Sequence, residues 1–377
     1  MNMKKSISIT VAMLLSLSVF GQRVQNHKNP SMLDHPTTTS RTEIVTPEVN
    51  GYKVIKADFH IHTIYSDGHV DPYYRVLEAW MDGLDALAVT DHIEYRPTES
   101  KMIEFLDGNV TKNEVEEGKI AANLNYSTEN GIYYAKRFGL TAIHGAEITR
   151  SAGTVGHFNV LFTKDNNLIP DPDPLQALRN AHKQGALIQC NHPGWRKTDN
   201  EYTPVCEAAI REGLIDGVEI FNTAEFYPDV IDKAVKKGFF IAGGTDIHSV
   251  SHMDYASKGY FRNMTLVFAK DASEGSIREA LESGRTLAYS YGDIAGSEQL
   301  LRDFFNACVS VKVLGVNRKG GKYVQITNRS SFPFVLNNST LEGMGSILWI
   351  ETGDKMDFKV SNMWFGTEDH PEFTVQL

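Results

Sequence analysis

From about residue 52 to residue 290, amphipathic stretches alternate regularly with short apolar runs, and this alternation constrains the fold most. Asp71 and Pro72 begin a helix that ends at Gly83 and leads into the apolar run 84–90. The same helix-then-strand step recurs in the pairs 175–184 and 186–190, 205–212 and 217–221, and 230–237 and 239–243, and a further helix spans 276–283. Apolar strands that alternate with helices predict a parallel sheet covered by helices.

A closed or nearly closed α/β barrel is the leading interpretation of this pattern, and a doubly wound open sheet is the alternative. Residues 51–296 are assigned to this α/β unit. The segment 98–137 interrupts the rhythm, because it is long, polar and weakly helical, and it is interpreted as an insertion near the mouth of the barrel. Residues 297–377 are expected to form a small antiparallel β domain. Its predicted strands are 309–316, 322–327, 332–337, 346–351 and 373–377.

The N-terminus has the layout of a secretory signal peptide over residues 1–21. Lys4 and Lys5 precede an apolar run at 7–20, and Val19 and Gly21 are the small cleavage-site residues before Gln22. The run is too short to span a bilayer comfortably, although an uncleaved membrane anchor is the alternative. Residues 22–50 are rich in Thr, Ser, Asn and Pro and are interpreted as a linker. We therefore expect an exported protein, periplasmic or extracellular, that has no membrane contact after cleavage.

Charge and cysteine content narrow the possible partners. Asp and Glu outnumber Lys and Arg by 47 to 37, which argues against a nucleic-acid duplex as partner, because duplex binding needs a basic surface. A small phosphorylated substrate is compatible with this charge, because metal ions supply positive charge locally. The three cysteines are too few and too scattered for a disulfide framework, and Cys190 is interpreted as a buried, inert thiol.

Histidine and acidic residues fall repeatedly at the ends of the predicted strands. His60 and His62 close the first strand, and residues two apart on a strand point to the same side, so both can hold one metal ion. The others of this kind are Asp67, His92, Glu147, His157, His192, Asp246 and His248. Strand ends of an α/β barrel converge on one face, and buried ionisable groups are costly unless they are paired or coordinate a metal. The pattern predicts a metal centre, and a solvated polar rim is the alternative.

The ordered motifs His-x-His-x4-Asp, Thr-Asp-His, Glu, His, Asn-His-Pro and Asp-x-His resemble the polymerase-and-histidinol-phosphatase (PHP) family over about residues 53–290. The resemblance implies a distorted seven-stranded α/β barrel with up to three metal ions. By position, the first metal would be held by His60, His62, Glu147 and Asp246. The second would be held by Glu147, His157 and His192, and the third by Asp67, His92 and His248.

Such a centre predicts hydrolysis of a phosphoester by a metal-activated hydroxide. Asp246, or a histidine beside the cluster such as His248, would pass a proton to the leaving group, and Asp91 would orient a ligand. Mixed histidine and carboxylate ligands suit two or three Mn²⁺, Zn²⁺ or Fe²⁺ ions better than Ca²⁺.

Candidate substrate contacts are the arginines that follow these motifs, Arg196, Arg150 and Arg96. The aromatic residues beside the motifs are candidates for pocket walls: Tyr65, Tyr95, Trp195 and Phe226. Glu219 and Asn222, at another strand end, are interpreted as supporting the ligands.

Three functions fit the sequence. A phosphodiesterase or phosphatase that acts on a small organic phosphate or nucleotide fits best. A metal-dependent amidohydrolase or lactonase on a related barrel is the first alternative, and a non-catalytic binding protein is the second. The oligomeric state does not follow from the sequence.

Overall fold

The computed structural model describes residues 40–99 and 122–377, and the residues from Thr42 to Leu377 form one compact unit. Its first helix begins where the sequence predicts. Asp71 caps the first helix by accepting a hydrogen bond from the backbone amide of Tyr73 at 2.8 Å, and Pro72 occupies the first turn, where a missing amide proton costs nothing. The helices are α1 (Pro72–Met81), α2 (Tyr126–Phe138), α3 (Pro174–Lys183), α4 (Pro204–Arg211), α5 (Ile231–Lys237), α6 (Ser251–Asp254), α7 (Glu274–Glu282) and α8 (Glu298–Cys308).

The strands in the first part of the chain are short and mostly buried. They are β1 (Lys53–Asp58), β2 (Ala86–Ala88), β3 (Thr141–Ile143), β4 (Gly145–Thr149), β5 (His157–Leu161), β6 (Leu187–Cys190), β7 (Gly217–Asn222), β8 (Glu225–Phe226), β9 (Phe240–Gly244), β10 (Met264–Ala269), β11 (Thr286–Ser290) and β12 (Asp293–Gly296). Those after residue 308 are β13 (Val309–Val316), β14 (Lys322–Asn328), β15 (Phe334–Leu336), β16 (Ser339–Leu341), β17 (Ile347–Thr352), β18 (Lys355–Lys359), β19 (Met363–Trp364) and β20 (Glu372–Gln376).

These strands form two large mixed sheets. The first has the order β19-β12-β11-β10-β1-β2-β3, and the second has the order β4-β5-β6-β7-β8, with β9 paired to β7. Strand β1 runs parallel to β2 but antiparallel to β10, and β5 runs antiparallel to both of its neighbours. The expectation of parallel pairing holds for β1-β2-β3 and for β6-β7-β9, but β4, β5, β10 and β11 pair antiparallel, so neither sheet is parallel throughout. Fully buried strands are apolar on both faces in either direction, so their composition alone does not reveal the direction of pairing.

Isolated bridges join the two sheets at the ends of their strands. Ile61, just after β1, pairs with Ile247, just after β9, and His92 pairs with Glu147 on β4. Both bridges lie among the predicted metal ligands. The mixed sheets therefore bring the ligand-bearing segments side by side even though they are far apart in sequence.

The C-terminal strands pair antiparallel, as expected, in the sets β13-β14-β17, β15-β16 and β18-β20. They share their apolar core with the first sheet, because Phe332 and Phe334 belong to the same buried cluster as Leu287 of β11 and Phe304 of α8. Helix α8 was not predicted, and β19 pairs with β12 across the expected domain boundary. The predicted boundary at 296/297 therefore lies within a continuous core.

The described end of the segment 98–137 belongs to the α/β unit. Its last part is helix α2, which packs against α1 through Tyr73 and Tyr134, with ring centroids 5.1 Å apart, and through Trp80 and Phe138, at 5.8 Å. Residues 100–121 of the predicted insertion lie outside the described residues, as do the predicted signal peptide and residues 22–39 of the predicted linker. Across 40–99 and 122–377, no helix has both the length and the apolar character needed to cross a bilayer.

Candidate metal centre

The predicted ligands meet in one place, at the ends of β1, β2, β6 and β9 and on β4 and β5. Glu147 lies at the centre of one half of the site. Its Oε1 atom is 3.5 Å from His60 Nε2, 3.3 Å from His157 Nδ1 and 3.8 Å from His192 Nε2. Four ligand atoms from four separate segments therefore face a common point.

Asp67 organises the other half of the site. Its Oδ1 atom is 3.4 Å from His92 Nε2, 3.1 Å from His248 Nε2 and 3.9 Å from His62 Nδ1. The second nitrogen of His62, Nε2, is 2.9 Å from Asp246 Oδ1. His62 therefore faces both halves, which places its ring between two neighbouring groups of ligand atoms.

The cluster contains three groups of potential ligand atoms, and within each group the atoms lie within 4.8 Å of one another. They are His62 with Asp67, His92 and His248; His60 with His62 and Asp246; and His60 with Glu147 and His192. This grouping differs from the one the resemblance implies in four respects. His62 also joins the Asp67 group, and His60 also joins the group of Glu147 and His192. Glu147 is absent from the group of His60, His62 and Asp246, and His157 belongs to none of the three, although it faces Glu147.

Unpartnered nitrogen atoms test whether metal ions fit here. His60 Nε2 and both ring nitrogens of His62 are buried and form no hydrogen bond of acceptable geometry. An orphaned buried polar atom is costly, and a metal ion satisfies imidazole nitrogens directly. Buried histidine and carboxylate donors in this arrangement fit divalent metal ions.

The carboxylates at the centre are held ionised. Burial by itself would raise the pKa of Glu147, but His92 and His60 hold it well below its ordinary value. The pKa of Asp246 is lowered in the same way, against the effect of burial, mainly by His60. Both carboxylates are therefore in the form that coordinates a cation.

The pKa values of His62 and His92 are shifted in opposite directions. Burial and the neighbouring His92 lower the pKa of His62 to about 4. Burial opposes protonation of His92 as well, but Glu147 and Asp67 raise the pKa of His92 to about 10. At neutral pH these shifts favour a neutral His62 and a protonated His92, and a metal ion bound by His92 would replace that proton.

Glu219 supports two ligands from behind. Its Oε1 atom accepts a hydrogen bond from His60 Nδ1 at 2.9 Å, and its Oε2 atom accepts from the backbone amide of His192 at 3.0 Å and from Asn222 Nδ2 at 3.0 Å. Gly244 makes this arrangement possible, because a side chain there would collide with Glu219 and His60. The contact with Nδ1 directs the other ring nitrogen of His60 toward the metal centre.

Asp91, predicted to act in catalysis by orienting a ligand, holds the loop that carries Asp67. Its Oδ1 atom accepts from the Thr63 amide at 2.7 Å and from Ser66 Oγ at 2.5 Å, and its Oδ2 atom accepts from Thr63 Oγ1 at 2.6 Å. Both oxygens are therefore engaged by this loop rather than by the metal-facing ligands, which corresponds to a positioning role.

Sequence reasoning missed two buried arginines that hold the ligand-bearing segments. Arg75 donates to the backbone carbonyls of His62 at 2.8 Å, Ile247 at 3.1 Å and Ser249 at 2.6 Å. An isolated arginine on a helix carries no sequence signal for such a role, because its partners are main-chain atoms distant in sequence.

The second buried arginine, Arg262, binds Asp58 Oδ2 at 2.7 Å. Asp58 in turn accepts from the backbone amides of His60 at 3.1 Å and Thr245 at 3.3 Å. Asn191 was also given no role, but it donates to Glu147 Oε1 at 2.9 Å. Its position immediately before His192 in the Asn-His-Pro motif is the signal that could have identified it.

Four of the nine described non-glycine residues with a positive φ angle lie at or beside the site. His192, Arg196 and Asp246 have positive φ angles of 25°, 56° and 49°, and Thr223 has 48°. Such conformations are unfavourable for residues with a Cβ atom and persist where the surroundings impose them, often at functional sites. Here they aim two predicted ligands and one predicted substrate contact at the centre.

A cavity of about 660 Å³ opens over the ligands, and the three predicted arginines differ in their position relative to it. Arg196 lines it and stacks over the Trp195 ring at 4.3 Å, without an ion pair to any described residue. Arg150 also lines it but pairs with Glu94 at 2.6 Å. Arg96 does not line it, because its Nη1 atom donates to the carbonyl of His92 at 3.1 Å.

The predicted aromatic walls divide in the same way. Tyr95 and Trp195 line the cavity. Tyr65 packs instead against Tyr126, with ring centroids 5.1 Å apart, and Phe226 stacks on Phe221 at 4.6 Å.

No family model and no curated protein sequence matches the chain, whereas solved structures do. One is a two-domain protein from Bacteroides vulgatus ATCC 8482 that contains a predicted PHP-like metal-dependent phosphoesterase, with 33% identity and a TM-score of 0.79 over 90% of this chain and 100% of that one. Another, from Bifidobacterium adolescentis ATCC 15703, is proposed to be a metal-dependent phosphoesterase and has 14% identity and a TM-score of 0.42 over 62% of this chain and 98% of that one.

A third similar structure corrects the expectation that a nucleic-acid duplex is excluded. Endonuclease Q in complex with a 27-mer duplex, which has an abasic lesion at the active site, matches with 16% identity and a TM-score of 0.39 over 65% of this chain and 60% of that one. The prediction that a nucleic-acid duplex is excluded is therefore wrong. The two-domain neighbour at 33% identity covers nearly the whole chain, and this chain belongs to the PHP-like metal-dependent phosphoesterase family.

Proposed function

We propose that this protein hydrolyses phosphoester bonds in small organic phosphates or nucleotides with two or three divalent metal ions. The observation that carries the proposal is the convergence of the three ligand groups under one open cavity. A structural metal site is closed, whereas a catalytic one keeps access for water and substrate. The family relationship points to the same chemistry.

The donors would divide among the ions according to the three groups described above, with Glu147 and His62 close enough to serve neighbouring ions. Ions bound there would supply an activated water and offset the charge that builds on the phosphoryl oxygens. Mixed nitrogen and oxygen donors favour Mn²⁺, Zn²⁺ or Fe²⁺.

Asp246 and His248 are placed to handle protons. Both line the cavity, and their side chains are 19% and 34% exposed, whereas the side chains of His60 and His62 are almost fully buried. His248 Nδ1 donates to the backbone carbonyl of Asp246 at 2.7 Å, which fixes the ring and directs Nε2 inward. The proton for the leaving alkoxide would come from Asp246 or, where its Nε2 holds no ion, from His248.

Arg196 is the strongest candidate for contact with the substrate phosphate. Its guanidinium has no acidic partner among the described residues, and stacking on Trp195 holds it at the cavity wall. Arg196 is exposed, and a guanidinium that is free to meet a ligand can form two parallel hydrogen bonds with a phosphoryl group. The indole of Trp195 beside it would contact the organic part of the substrate.

The remaining expectations belong to the same proposal. The two sheets, bridged at Ile61 and His92, would be the open form of the distorted barrel that the family resemblance implies. Residues 51–296 would be the catalytic unit and 297–377 an accessory unit. Export by the signal peptide at 1–21 would give the enzyme access to phosphoesters outside the cytoplasm.

Metal content and hydrolysis measured together test the proposal. The mature chain would be assayed with bis(p-nitrophenyl) phosphate, p-nitrophenyl phosphate and an abasic DNA duplex, with and without Mn²⁺, beside His192→Ala. Two or three bound metals and Mn²⁺-dependent turnover that the variant loses would support the proposal. Metal binding without turnover of any ester would favour amide or lactone hydrolysis, and absence of bound metal would refute the proposal.

A further inference from the structure

Two of the three cysteines lie side by side behind the candidate metal centre. Cys190 is the last residue of β6 and Cys206 is in the first turn of α4, and both are buried. Their Sγ atoms are 3.1 Å apart, within about 1 Å of a disulfide bond length of about 2.05 Å. The contact between Cys190 and Cys206 was not predicted from the sequence.

We propose that Cys190 and Cys206 form a disulfide bond when the chain folds in the presence of a disulfide donor such as oxidised glutathione. One cysteine thiolate attacks the glutathione disulfide, forms a mixed disulfide and releases one glutathione thiolate. The second cysteine thiolate then attacks the protein sulfur of that mixed disulfide and releases the second glutathione. The two cysteines lose two electrons and two protons, and one glutathione disulfide becomes two glutathione thiols.

The bond would close a loop that contains much of the site. Residues 191–205 lie between the two cysteines and include His192, Trp195 and Arg196. The far end of this loop is already anchored, because Thr203 Oγ1 donates to the carbonyl of Val155 at 2.6 Å. A disulfide that joins the two ends of the loop would restrict the segment that carries the predicted metal ligand His192 and the cavity-lining Arg196.

Burial determines when the bond forms. Burial and the neighbouring Cys190 raise the pKa of the Cys206 thiol well above its ordinary value, so the folded, reduced protein contains little thiolate at neutral pH. Because the thiolate is the attacking species, a donor added after folding acts slowly. A donor present during folding meets both thiols while they are exposed.

Cys308 provides an internal control. It lies at the end of α8 within the buried cluster that underlies the first sheet, whereas Cys190 and Cys206 belong to a different cluster. It is therefore expected to remain a thiol under the same conditions.

Thiol counting tests the proposal without any assay of activity. The full chain is refolded with oxidised and reduced glutathione, denatured without reductant, alkylated with iodoacetamide and analysed by peptide mass spectrometry. We expect alkylation of Cys308 alone, with a cross-linked peptide pair that contains Cys190 and Cys206. Alkylation of all three cysteines, or glutathione adducts without the cross-link, would overturn the proposal.

Two variants and a melting experiment complete the test. Cys308→Ser should keep the cross-linked peptide pair, and Cys206→Ser should abolish it and leave Cys190 open to alkylation. The cross-linked protein should melt about 5 °C above the same protein after reduction, as a closed loop of this length predicts. Equal melting temperatures for the two forms would refute the inferred restriction of the loop.

Discussion

Arg75→Met is the substitution whose consequences the structure defines most sharply. The side chain of Arg75 is completely buried. Besides its bonds to the carbonyls of His62, Ile247 and Ser249, it pairs with Glu78 at 2.9 Å. Methionine fills much of the same volume but donates nothing, so these carbonyls and the Glu78 carboxylate lose the guanidinium, although Ile247 keeps the His62 amide at 3.2 Å and Glu78 keeps the Ser251 amide at 3.0 Å.

The expected magnitude follows from the burial of this network. Removing one partner of a fully buried charged pair costs about 3–5 kcal/mol, and the lower end of that range applies here because Glu78 is 14% exposed and keeps the Ser251 amide. A loss of that size lowers Tm by about 10 °C in a chain of this length. The residues next to Ile247 are the predicted ligands Asp246 and His248, so metal affinity should also fall by about 10- to 100-fold, as it does when ligand-orienting groups are removed.

Urea denaturation of the metal-free protein and Mn²⁺ titration measure the two effects separately. Arg179→Met is the matched control, because Arg179 pairs with Glu212 at 2.8 Å on the surface and both side chains are more than a third exposed. Such a pair contributes at most about 1 kcal/mol, and its loss should leave metal binding unchanged. If Arg75→Met were as stable as this control and bound Mn²⁺ as tightly as the unmodified protein, the hydrogen bonds of Arg75 would not hold the ligand-bearing segments in place.

Three further predictions concern the ligands, the protons and the cavity. Glu219→Gln should lower Mn²⁺ affinity about tenfold, since His60 would lose its anionic partner, and an unchanged titration would contradict this role. The raised pKa of His92, about 10, means that its charge stabilises the metal-free protein fully below pH 6.5 and that this contribution is lost as the pH rises through about 10. Mn²⁺ must displace that proton, so affinity should fall with decreasing pH, and calorimetry at pH 7 should give heats that depend on the buffer; equal heats in two buffers would exclude proton release. Arg196→Ala should raise KM for p-nitrophenyl phosphate about tenfold, whereas the same substitution at Arg96, off the cavity, should change KM little, and equal effects would contradict the assignment.

The parts of the fold that local chemistry determines were predictable. The capped start of α1 at Asp71 and Pro72 and the strand at 309–316 were found where the sequence placed them. Helix α8 was missed although its signal was present, since Ser297 Oγ accepts from the Leu300 amide at 3.4 Å in the manner of an N-cap. The abundance of strands after residue 308 drew the interpretation of the whole region toward β structure.

The convergence of the ligands was predictable, but their grouping was not. Strand ends place the right residue types on one face, and the sequence order of His60 through His248 identifies them. Which ring faces which ion depends on the path of the loops after the strands. His62 meets Asp67 and His248 because the segments after β1 and β9 are bridged at Ile61 and Ile247, and a pairing between residues so far apart is invisible in sequence.

That bridge also explains why the supporting residues escaped prediction. Two segments that carry histidines and carboxylates expose their main-chain carbonyls on the side away from the metal centre, and buried carbonyls require donors. Arg75 donates hydrogen bonds to these carbonyls. Arg262 pairs with Asp58, which accepts hydrogen bonds from backbone amides of the same two segments. An arginine fulfils this need from any nearby element, so its sequence position is free, whereas a metal ligand must occupy its strand end. The supporting arginines can therefore be found only once the two segments are seen together, which is why Arg75→Met tests the structure rather than the motif.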